Sequence, residues 1–139
     1  LSLAQTGCAS FSSHPKPPET PLDAKSVQVE ELVKSPRSWD GKTLSAYPKG
    51  QPEITILRIT IPAGTKLAMH KHPFPNAGLL LRGELTVRTA AGKSLHLKAG
   101  DPIVEVLNAW HYGVNEGSGP AEILVFYAGI VGQPITIKR

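Results

Sequence analysis

The chain has 139 residues, about 40% of them apolar, which fits one domain able to close a core without disulfide staples. Cys8 is its only cysteine, so an intrachain disulfide is excluded. The net charge of +4 comes from scattered lysines and arginines that do not interleave with aromatics, which argues against a nucleic-acid partner, and no apolar run reaches the roughly 18 residues of a membrane helix.

In chain order, Leu1-Ser2-Leu3-Ala4 sets small residues at the −3 and −1 positions of a signal-peptidase cut before Gln5. The expectation is an exported protein, periplasmic or secreted. Gly7-Cys8 resembles the end of a lipobox, which keeps a lipoprotein open, although Gln5 stands where that motif has an aliphatic residue. Residues 1–25 then form a signal-peptide remnant and a Pro/Ser-rich tail, with His14 inert inside it, and residues 26–139 form the domain. Residues 26–35 read equally as a short helix capped by Ser26 or as a strand beginning at Val27, ended by Pro36.

From Glu53 the pattern is β. Strands are expected at Glu53–Ile61, Thr65–His72, Leu79–Val87 with a bend or break at Gly83, Ser94–Lys98, Pro102–Leu107, Trp110–Asn115, Ala121–Ala128 and Ile135–Lys138. Turns fall at Pro62-Ala63-Gly64, Pro73–Asn76, Thr89–Lys93, Ala99–Asp101 and Glu116–Pro120. Short strands punctuated by Gly and Pro predict an all-β fold, a sandwich or closed barrel.

Two residues apart on a strand, His70 and His72 share a face. Paired imidazoles aimed into one space can each offer a neutral nitrogen to a metal. His111, with Gly113 and Asn115 on its face, supplies a third. Trp110, Tyr112 and Val114 take the opposite face.

The spacing Gly64-(five residues)-His70-Lys71-His72-(three residues)-Asn76-(six residues)-Gly83 resembles the first motif of the cupin superfamily, G-x5-H-x-H-x3,4-E-x6-G. Gly100-(ten residues)-His111-(three residues)-Asn115 resembles the second, G-x5-P-x-G-x2-H-x3-N. The intermotif stretch, residues 84–99, is similar to that of small single-domain microbial cupins, and the likeness covers residues 45–130. The resemblance implies a double-stranded β-helix, or jelly-roll barrel, behind an irregular N-terminal tail. It implies a divalent transition metal, Zn, Mn, Ni, Cu or Fe, on His70, His72 and His111. It also implies a small-molecule ligand or substrate and a homodimer that covers sheet edges.

This chain departs from the pattern at two places. Val106 and Asn108 stand at the Pro and Gly positions of the second motif, and Asn tolerates left-handed backbone nearly as Gly does. Asn76 stands where the family has its glutamate ligand, which leaves a three-histidine face similar to that of the thiol dioxygenases. Glu105, charged within the run Ile103–Leu107, is the candidate to compensate as ligand, base or support for the ligands. The other reading puts it outside, facing solvent or paired with Arg82 or Arg88. His96 reads as a solvated strand histidine, Met69 and Trp110 as core or cavity wall, Phe74 and Tyr112 as rim of the site. Asn115 reads as a structural hydrogen-bonder and Tyr127 as a sheet residue. Three functions follow: a metal-dependent enzyme, dioxygenase-like, acting on a small organic molecule; a binding or sensing module; and a degenerate structural cupin.

Overall fold

Ile, Val, Thr and Leu fill the segments that become strands, and Gly or Pro stands at several of their ends. In the computed structural model, which describes residues 26–139, nine strands follow in order. They are β1 (Pro52–Ile61), β2 (His70–Lys71), β3 (Asn76–Arg82), β4 (Glu84–Thr89), β5 (Ser94–Lys98), β6 (Pro102–Val104), β7 (His111–Val114), β8 (Ala121–Ile130) and β9 (Ile137–Lys138). No helix occurs among the described residues. The leader remnant and tail expected from the sequence, with Cys8 and His14, fall outside the described residues.

The strands pair antiparallel into two sheets, β1-β8-β3-β6 and β5-β4-β7-β2-β9. Ile61, Leu80, Ile103, Ile123, Val125 and Tyr127 of the first sheet meet Leu85, Val87 and Leu97 of the second in one core. Alternation sends the other residues of each strand outward. In β8, for example, Ile123, Val125 and Tyr127 are buried while Phe126 is exposed.

The run from Leu79 to Val87 is broken at Gly83, and the break is where the chain leaves one sheet for the other. Gly83 has φ +75°, and a Cβ there would come within 2.5 Å of the Pro120 carbonyl oxygen. Only glycine fits that corner.

Several expected boundaries are corrected. Thr65–His72 keeps only His70–Lys71 as strand, because Thr65 and Leu67 bond irregularly to Asn115 and Gly113. Pro102–Leu107 stops at Val104, where Glu105 Oε1 takes the Val106 amide and turns the backbone out of the ladder. Asn76 opens β3 instead of sitting in the preceding break. Residues 26–35 are neither helix nor strand. Residues 36–44 fold back on themselves through an Arg37–Thr43 bridge, and the Trp39 amide docks them on the Val104 carbonyl.

Candidate metal centre

His70 of β2 stands directly opposite His111 of β7. Opposed residues of an antiparallel pair point to the same face. His72 follows two residues on, and its ring joins theirs with centroids 4.9 Å from His70 and 5.0 Å from His111. The three candidate ligand nitrogens lie within 4.8 Å of one another.

Each ring is oriented by the backbone. The Nδ1–H of His70 donates to the Ala68 carbonyl at 2.7 Å, that of His111 to Ala109 at 2.8 Å, and that of His72 to Ile135 at 2.9 Å. This fixes one tautomer, with the Nε2 lone pairs facing the shared space. Burial pushes the His72 pKa down to about 4 despite the Ile135 bond, and the neighbouring imidazoles push the same way. Burial likewise lowers that of His70. Both are therefore neutral, as ligands must be.

The fit to a cation rests on one atom. His111 Nε2 is buried and has no hydrogen-bond partner among the described residues, although buried polar atoms almost always find one. A lone pair at that depth, facing two more imidazoles, is satisfied by a bound cation. The three histidines therefore fit a divalent transition metal.

Glu105 is interior, with its side chain 12% exposed. Its Oε1 accepts the Trp39 indole N–H at 2.9 Å and the Val106 amide at 2.8 Å. Its Oε2 is left facing His111 Nε2 at 3.8 Å. The exterior reading is corrected: Arg82 pairs with Glu122 and Arg88 with Glu116. Two positions beyond Ile103, Glu105 keeps the inward face that Ile103 establishes. Asn76 is buried too and lines the same cavity, its Nδ2 making a long bond of 3.4 Å to the Phe74 carbonyl.

The cavity holds about 70 Å³ and is otherwise walled by aliphatic side chains and Tyr127. The Tyr127 ring packs edge-on against His72 at 5.3 Å. A groove of about 260 Å³ shares Ile59, Leu67, His70, His72 and Tyr127 with this cavity and adds Thr136 and Lys138.

Other expectations sort cleanly. Trp110 and Tyr112 lie on the outer face of the five-stranded sheet, beneath Lys71 and Lys66, so neither walls nor rims the cavity. Phe74 is buried but away from the cavity lining. Asn108 adopts φ +53°, the left-handed conformation its motif position requires. Asn115 is fully buried and ties Ile61, Gly117 and Gly119 together. His96 is half exposed beside Thr86 and Glu84. Sequence reasoning missed Trp39, Thr136 and the cavity role of Tyr127. The signal for Trp39 was its indole donor, which needs an acceptor once buried.

The family model described as Cupin domain matches residues 57–127, and the chain belongs to that family. Solved structures agree on the fold. A double-stranded β-helix protein from Klebsiella pneumoniae aligns with TM-score 0.55 at 18% identity, covering 81% of this chain and 97% of its own. An oxalate oxidase in complex with the substrate analogue glycolate aligns at 0.53 and 19%, covering 84% and 74%. A DMSP lyase aligns at 0.54 and 17%, covering 62% of this chain, which spans 44% of that one. At these identities the likeness is one of fold, and the reactions named differ. No curated protein sequence matches the chain.

Proposed function

We propose that this chain is a metal-dependent enzyme that transforms a small organic molecule at a divalent metal held by His70, His72, His111 and Glu105, with dioxygenase-like oxidation as the reaction class. The observation that carries the reading is the buried, unpartnered Nε2 of His111, with the free oxygen of Glu105 facing it. The carboxylate given up at position 76 is regained from Glu105, which lies just past the end of β6 and whose amide donates to the Asn76 carbonyl on the neighbouring strand. Bound there, the metal would supply Lewis acidity and open positions for substrate. The residues do the rest. Backbone-bonded Nδ1 atoms hold the imidazoles aimed, and burial keeps His70 and His72 neutral. Trp39 and the Val106 amide hold one Glu105 oxygen, so the other is free to ligate or to take a proton. The aliphatic wall gives the reacting atoms an apolar surround.

Purified protein expressed in metal-replete medium should carry one metal per chain, and His111→Ala should carry none. Glu105→Gln should weaken metal binding by roughly 10- to 100-fold. Wild-type protein without stoichiometric metal would sink the enzyme reading. Unchanged affinity and activity in Glu105→Gln would remove Glu105 from it. Asn76 favours a second reading, a module that binds a small molecule without turnover. Metal and ligand binding with no product under air, over a panel of small organic substrates, would support that one.

A further inference from the structure

Across the inner face of the five-stranded sheet, register lines up one row of residues: Thr89 opposite His111, His111 opposite His70, and His70 opposite Lys138. Because opposed residues share a face, the Lys138 side chain leaves β9 on the side occupied by the histidines. It lines the groove that opens onto His70 and His72. Neighbouring cations on the outer face are engaged: Lys66 sits over Tyr112, and Lys71 and Arg139 over Trp110. Lys138, by contrast, makes no ion pair or cation–π contact with any described residue.

We propose that Lys138 anchors the carboxylate of a substrate in this groove, so that the site selects small organic anions over neutral molecules. This rests on the metal reading above. A divalent ion with three neutral imidazoles and one carboxylate keeps a net positive charge, and Lys138 adds a second beside it. An anion entering past Thr136 meets both. The inner cavity of about 70 Å³ limits the part that goes inside to a few heavy atoms, while the groove accepts the charged end. A strand neighbour of His70 lies about 5 Å away backbone to backbone, within the reach of a lysine side chain.

The test uses the full chain loaded with Co(II), whose visible absorption reports changes at the ion. Propionate and imidazole are titrated separately, one charged and one neutral. Wild type should respond to both. Lys138→Gln should bind Co(II) with the same stoichiometry, weaken propionate by roughly fivefold, and leave imidazole unchanged. Lys138→Glu should weaken propionate further. Equal propionate affinity in wild type and Lys138→Gln, or equal loss for both ligands, would overturn the anchor while the metal reading stands. Failure of wild type to take up Co(II) would overturn the metal reading and the anchor with it.

Discussion

Trp39 contributes to the centre without touching the histidines. Its indole holds one oxygen of Glu105, and the Val106 amide holds the same oxygen, so the second is left to face His111. Trp39→Phe should therefore lower metal affinity by about tenfold while leaving the fold intact, as read by competition with a chelator. His72 sets the pH dependence. In the metal-free chain its pKa falls from the ordinary 6.5 to about 4 through burial. The unfolded chain thus binds the extra proton first, and stability drops as pH falls from about 6.5 toward 4. Thermal melts of metal-free protein should show that loss, and His72→Gln should flatten it. His70 and His72 were legible from their strand spacing, and His111 joined them through the resemblance to the cupin motifs. Glu105 was legible as a charge in an apolar run, but its inward face depended on where the strand ended. Trp39 was invisible, because its partner lies 66 residues away and no local pattern links the two.

Among the elements, the corner at Gly83 matters most. It carries the chain from β3 into β4 and from one sheet to the other, against the Pro120 carbonyl. Gly83→Ala should destabilise the protein by roughly 1–3 kcal/mol, from the positive φ and the clash together, seen as a lower Tm. The strands themselves were well read from composition, since β-branched runs bounded by Gly and Pro have few alternatives. Their lengths were not. β2 keeps two residues and β6 three, because the chain around the cavity spends its backbone amides and carbonyls on loops. The Ala68, Ala109 and Ile135 carbonyls, freed from the ladder, are the ones that orient the imidazoles. A pattern of alternating side chains carries no trace of that diversion.

On the scale of the molecule, β1 is an edge strand of ten residues, and the outer face beside it exposes Ile54, Ile56 and Phe126. Ile56 and Phe126 stand opposite each other across the β1–β8 pair. A long apolar edge is a liability that pairing removes, so the homodimer expected from the sequence has a physical motive here. Sedimentation should give twice the 14.9 kDa chain mass, and Phe126→Glu should shift it toward the monomer. The hydrogen bond between Trp39 and Glu105 has one more consequence, an optical one. The only other tryptophan, Trp110, lies on the outer face beneath Lys71 and Arg139. In a Trp110→Phe protein the remaining indole reports from beside the proposed metal centre, so Cu(II) or Co(II) should quench its emission stoichiometrically. The chain thus has its own fluorophore for measuring occupancy, with no added label.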